Sequence, residues 1–210
     1  RVEKAVNFLM SQFNPQMNLC REAPNAAPNT YWLVDDNLWA YKALEMMDIT
    51  NTSSLIKGRL IELAQVYNVP TDAQGFPISY AHEAVIGNMV SLPFCTSINC
   101  TLYRNDYILN TTMLNGTIMN DWQEYTDLLL YAALSYQWQG NNTAANCYFK
   151  NATDTWDGIG ISDKATEVDG FYTTYKLALL LYTSKVLGKR LPFEFELVKR
   201  IWSLQRETDG

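Results

Sequence analysis

An all-α fold built from paired helices, with a small β insertion, follows from three observations. Helical apolar periodicity dominates both ends of the chain. The helices come in adjacent pairs joined by short turns. Strand-forming residues broken by hairpin dipeptides concentrate in one central segment.

Residues 2–13 place Val2, Ala5, Val6, Leu9, Met10 and Phe13 on one face of a helix. Residues 14–30, rich in Pro and Asn, predict a loop. A strong helix follows over 35–47, where Asp35 or Asp36 caps the start and suits the positive helix end. A turn at 48–52 leads to a second helix over 53–67, with Leu55, Ile56, Leu60, Leu63 and Ala64 as its stripe. Helical period is lost over 68–100, where prolines stand at 70, 77 and 93. The runs 101–104, 107–114 and 117–119 predict a three-stranded meander. Asn105-Asp106 and Asn115-Gly116 supply its two-residue turns. Helices resume over 121–139 and 143–154, and a glycine-containing loop spans 157–165. A long helix is predicted over 169–187, stopped by Gly188, and a last one starts at Pro192 and runs to Gln205. The organisation expected is a single domain over 1–210 with a β insertion at 87–119.

The chain has 210 residues, of which 48% are hydrophobic, enough to build a core. Only 18% are charged, so Asn, Thr, Ser, Gln and Tyr must supply much of the polar surface. A net charge of -6 with no Lys/Arg cluster argues against a nucleic-acid partner, because phosphate binding needs clustered cations. No run reaches the roughly 18 apolar residues of a membrane span. The sequence begins at Arg1 with no apolar signal region, and the expectation is that a leader precedes it in the natural product.

Six Asn-X-Ser/Thr sequons occur, at Asn51, Asn99, Asn110, Asn115, Asn141 and Asn151. Chance yields roughly 2 to 3 in a chain of this composition. All six fall in or beside turns, hairpins or helix starts, where a glycan can project. The excess predicts an N-glycosylated, extracellular or cell-surface protein. Four cysteines suit that compartment. Cys95 and Cys100 flank a short segment that a disulfide could close, and Cys20 would then pair with Cys147. Four cysteines allow three connectivities. A metal site is not expected, since no C-x-x-C occurs and His82 is the sole histidine. A Ser-His-Asp triad would have to use His82, and no G-x-S-x-G elbow is present. Asp154, Asp157 and Asp163 match no EF-hand spacing. No cofactor is expected.

The first helix of each pair opens alike. Asp36-Asn-Leu-Trp-Ala-Tyr-Lys-Ala-Leu is echoed by Asp127-Leu-Leu-Leu-Tyr-Ala-Ala-Leu and more loosely by Asp169-Gly-Phe-Tyr-Thr-Thr-Tyr-Lys. Repeated helical hairpins bury their faces by stacking on neighbours. With Trp32-Leu-Val-Asp, Glu167-Val-Asp-Gly-Phe-Tyr and the terminal Leu204-Gln-Arg-Glu-Thr-Asp-Gly, about half of the chain resembles the α/α toroid superfamily. That superfamily holds the helical-hairpin repeats of six-hairpin glycosidases, lyases and terpene-cyclase-like proteins. The likeness is to an architecture rather than to one enzyme family. This chain supplies three hairpins, or four if residues 2–13 pair with a segment near 79–90, so the toroid is incomplete. The expectation is that another polypeptide completes it beyond Gly210.

The resemblance implies acids at inner-helix ends facing a cavity. Glycoside cleavage needs two carboxylates, one protonated and one charged. Asp36, Asp127 and Asp169 are the implied catalytic residues, with Glu167 next, and Trp32, Trp39, Trp122 and Tyr172 the implied sugar-stacking aromatics. The plainer account is that the acids cap helices and the aromatics fill the core. Two functions compete: a glycoside hydrolase or polysaccharide lyase acting on carbohydrate, and a non-catalytic surface or assembly glycoprotein. Peptide mass spectrometry of material from an N-glycosylating host will show hexose-bearing peptides at these asparagines that an endoglycosidase removes. Unmodified peptides at all six would overturn the secreted reading.

Overall fold

The computed structural model describes residues 2–21, 34–67, 95–103, 106–113, 121–138 and 140–205. These carry eight α-helices and two antiparallel two-stranded sheets. The chain divides into two compact units, Arg1–Ala84 with Pro93–Gly116 and Glu207–Gly210, and Val85–Leu92 with Thr117–Arg206. A single continuous domain was the expectation; each unit has its own internal packing.

In the first unit, α1 (Val2–Gln12) runs into β1 (Phe13–Asn14), which pairs with β2 (Leu19–Cys20). The Asn14 side chain accepts from the amides of Gln16 and Met17, at 2.8 and 3.2 Å, and Asn18 takes φ 54°. This tight turn drives Met17 into the core with no exposed surface. It replaces the loop expected after residue 13. Next come α2 (Val34–Met46) and α3 (Thr50–Tyr67), an antiparallel hairpin turned at Asp48, φ 57°. The core of this unit packs Met17 and Leu19 against Leu38, Leu44, Ile56 and Leu60, all essentially unexposed. Asn37 stands among them, fully buried. Its amide donates to the Cys20 carbonyl at 3.0 Å and accepts from the Cys20 N–H at 2.6 Å. A buried side-chain amide is tolerated because both its groups are satisfied.

The β insertion is a hairpin of β3 (Cys95–Tyr103) and β4 (Asp106–Met113), with an irregularity at Cys95/Ser97. The Tyr103↔Asp106 pairing leaves residues 104 and 105 between the strands, one position earlier than expected. The run 117–119, expected as a third strand, lies outside the described residues, as does 79–90.

In the second unit a 3-10 turn (Trp122–Glu124) leads into α4 (Thr126–Trp138), where six consecutive residues, Leu128 to Ala133, are buried. A helix apolar on all sides is one that neighbours surround. Those neighbours include α5 (Asn142–Thr153) and α7 (Thr174–Val186), and α7 packs on α8 (Glu194–Leu204). Asn141 caps α5 by accepting from Ala144 N–H at 3.1 Å.

The long helix expected over 169–187 is broken. A short helix, α6 (Lys164–Asp169), ends at Gly170 in the left-handed conformation, φ 73°, and α7 starts afresh at Thr174. Gly170 N–H bonds to Thr166 O at 2.8 Å, which closes the helix end. Periodicity carried the expectation across a glycine that is in fact a stop signal. An added Cβ at Gly170 meets nothing within 4 Å, so substitution acts on backbone conformation alone. Gly170→Ala is expected to cost about 1 kcal/mol, read as a lower denaturant midpoint at unchanged slope.

Candidate functional site

A charged cluster sits where the first turns of α4 and α7 meet the start of α6. Lys176 lies on the core face of α7, three and four residues before Leu179 and Leu180. Its ammonium donates to Asp163 Oδ2 at 2.6 Å and stands 3.9 Å from Asp127 Oδ1. The three side chains are 3%, 0% and 10% exposed. Asp163 is also the N-cap of α6, accepting from the Thr166 amide at 3.2 Å, and accepts from the Thr126 amide at 2.9 Å. One carboxylate thus anchors three segments. Asp127 accepts from its neighbour Leu128 N–H at 3.1 Å and from the Tyr175 hydroxyl.

Burial alone would raise the Asp163 carboxyl. The Lys176 ammonium and the two amides outweigh it and hold the group below the usual carboxylate range. The Tyr175 hydroxyl is pushed up, first by burial and then by its bond to Asp127.

Beside this locked cluster the surface is open and aromatic. Phe171, Tyr172 and Tyr175 are 77%, 41% and 49% exposed, and Val168 and Ile159 are exposed with them. Tyr172 donates to Asp157 Oδ2 at 2.5 Å, while Asp157 Oδ1 accepts from the amides of Ile159 and Gly160 at 2.8 and 2.9 Å. The Tyr172 ring lies on Gly160, where a Cβ would come within 2.3 Å of it. Only glycine admits the ring there. Asp157 is held below its ordinary range: burial raises it, and the Tyr172 hydroxyl and amides outweigh that.

The residues singled out from sequence fall in different surroundings. Asp127 stands in the first turn of α4, within the cluster. Asp169 is instead the last residue of α6, exposed, because Gly170 ends the helix there. Glu167 is exposed in the first turn of α6. Asp36 lies in α2, in the first unit, half-buried. Tyr172 joins the open aromatic surface. Trp122 does not: it is 4% exposed and packs on Tyr148, ring centroids 5.4 Å apart, so it is a core residue. Trp39 packs partly buried against the first unit's core, with the Lys42 ammonium 5.2 Å from its ring. Trp32, Asn115 and His82 lie outside the described residues.

Cys20 and Cys147 are free thiols, Cys20 buried and Cys147 exposed, so the expected bridge between them is not formed. Burial pushes the Cys20 thiol up to about 11, which makes it a packing residue. Cys95 and Cys100 sit on one strand, β3, rather than around a loop. Five residues of strand span roughly 16 Å, beyond the reach of a disulfide. Among sequon residues, Asn51, Asn141 and Asn151 are exposed. Asn99 and Asn110 are register partners in the hairpin. Among the described residues no group of three or more His, Cys, Asp or Glu is placed to hold a metal, and no helix is long and apolar enough to cross a membrane. Asp154, Asp157 and Asp163 bind separate partners: Lys150, Tyr172 with two amides, and Lys176.

Sequence reasoning missed Lys176 and Tyr175. The signal was present: a lysine on the apolar stripe of a helix has to find an acid. Comparison with protein-family models, with curated proteins and with solved structures returns no match.

Replacing Asp163 leaves Lys176 buried without its closest carboxylate. Asp163→Asn is expected to destabilise by about 3–5 kcal/mol in denaturant unfolding. Asp163 is depressed in the folded state, so its contribution is present above the unfolded value near 4 and is lost as pH falls through the folded value. The variant will therefore lose stability less steeply than wild type on acidification below about pH 4.

Proposed function

We propose that this protein is an extracellular or cell-surface glycoprotein that binds carbohydrate on the aromatic surface of its second unit. The observation that carries this reading is the exposure of Phe171, Tyr172 and Tyr175 beside carboxylates that hold the two tyrosine hydroxyls. Sugar rings present C–H faces that stack on aromatic rings, and rings with fixed hydroxyls lose little freedom on binding. The incomplete toroid suggested by the helical hairpins, completed by a second polypeptide, would be the frame for this surface.

Binding is favoured over cleavage by the state of the acids. Glycoside hydrolysis needs one carboxyl kept protonated. Asp163 and Asp157 are both held toward the charged form, and Asp163 has no exposed side-chain surface. A hydrolase or lyase is the second reading. It is supported by Asp127, whose carboxylate bonds to Tyr175 at the edge of the open surface. Glu167 and Asp169, exposed on α6, would be its partners.

An oligosaccharide array followed by calorimetry tests both readings. Each ring contributes about 1 kcal/mol, so Tyr172→Ala is expected to weaken binding roughly fivefold and Phe171→Ala/Tyr172→Ala roughly thirtyfold. Absence of binding to every saccharide, or equal binding by the double variant, would sink the proposal. Release of new reducing ends that Asp127→Asn abolishes would establish the hydrolytic reading instead.

A further inference from the structure

The chain is acidic, with a net charge of -6, yet the connection between α7 and α8 gathers Lys185, Lys189 and Arg190. Lys185 is neutralised by Glu194 at the start of α8, and Lys150 across the cleft by Asp154 at 2.6 Å. Lys189 and Arg190 are exposed and pair with no carboxylate among the described residues. Two neighbouring cations without counter-charges make a local positive field on an otherwise acidic chain.

The loop that bears them is held in place. Gly188 closes α7 in the left-handed conformation, φ 62°, and the Lys189 amide bonds back to Ser184 O at 2.8 Å. Leu191, next in sequence, is 2% exposed and roots the loop in the core. Lys189 and Arg190 line a cleft of about 400 Å³, whose other walls include Phe149, Lys150, Pro192 and Phe193. That volume falls in the range of small-ligand sites. The apolar wall is firm: Phe149 is 6% exposed, and Phe193 stacks on Trp156 at 5.1 Å with planes 8° apart. Arg190 also borders hollows of about 310 and 490 Å³.

We propose that this cleft binds an organic oxyanion, a sulfate or carboxylate group carried on a ring the size of a sugar. Lys189 and Arg190 would hold the anionic group, Arg190 with its planar fork of donors, and Pro192 and Phe193 the ring. The Lys150–Asp154 pair leaves the cleft lining with two uncompensated positive charges, which excludes cations. The cleft shares no residue with the aromatic surface, so this inference stands whether or not that surface binds sugar.

Isothermal titration of the full chain decides it. The probes are a sulfated disaccharide, a uronate-containing disaccharide, their uncharged counterpart and inorganic sulfate. At least one charged disaccharide is expected to bind at least tenfold more tightly than the uncharged one, and to weaken as salt rises. Which of the two binds more tightly identifies the anionic group. Arg190→Ala and Lys189→Ala are each expected to reduce that affinity about tenfold. Lys199→Ala, an equal charge change on the exposed side of α8 outside the cleft, is expected to change it less than twofold. Repeating the titrations with Phe171→Ala/Tyr172→Ala, which removes the other surface, separates the two: the charge-dependent part of the affinity, lost in Arg190→Ala, is expected to persist there. Equal affinity for charged and uncharged disaccharides, tight binding of inorganic sulfate alone, or a loss in Lys199→Ala as large as in Arg190→Ala would each overturn the proposal.

Discussion

Lys176 places an ammonium group, 3% exposed, at the heart of the second unit, and a buried cation tolerates few arrangements around it. It must have a carboxylate in hydrogen-bond contact, and that carboxylate must be held in turn. Asp163 meets both demands. It faces Lys176, caps α6 and receives the first amide of α4. Three segments distant in sequence are fixed by one side chain, through bonds that are directional where apolar packing is not. Thr126 adds a second tie, its hydroxyl 2.9 Å from that of Thr155. Apolar burial along α4 supplies the bulk of the adhesion, and the charged cluster determines which ends come together.

That arrangement bears on activity. Three acids beside the open surface hold structure, Asp163 through Lys176, Asp157 through a loop and a tyrosine, Asp127 through another tyrosine, while Glu167 and Asp169 on α6 stand exposed. Groups that turn over substrate need freedom to gain and lose protons near neutral pH. Asp163 and Asp157, held below the ordinary carboxylate range by their donors, keep their charge there. The aromatic surface they steady stays exposed beside them.

The helical elements were legible because their signals are local. The stripes of α1 and α3 can be read from neighbours within a turn or two, although Val2, Ala5 and Leu55 on them are exposed, and the Asn141 cap of α5 was missed. The hairpin was legible from its strand-forming runs, though its turn was read one residue late. The break at Gly170 was misread because the apolar period continues on both sides of it, while the left-handed cap depends on a bond back to Thr166. The tight turn at Met17 was read as loop, since two-residue strands leave no period to detect. Of the residues gathered at this end of the second unit, the sequence singled out Asp127 and Tyr172, because an acid at a helix start and an aromatic beside a glycine turn are sequence patterns. Asp163 and Lys176 join across 13 residues and a chain reversal, and Tyr175 reaches Asp127 across 48. Such pairings are made by the fold. Trp122 shows the converse: the sequence marks it as a large aromatic, and only packing reveals that it faces inward.

Asn37 carries a consequence of a different kind. A two-residue strand such as β2 exposes a peptide edge that could recruit any extended segment from another molecule. The amide of Asn37 is chemically a peptide group, and it satisfies both the donor and the acceptor of Cys20 on that edge. The helix thereby supplies a one-residue counterfeit strand, too short to be extended. Wherever identical chains meet, such a plug would keep the first unit from growing sheet-wise into its neighbours.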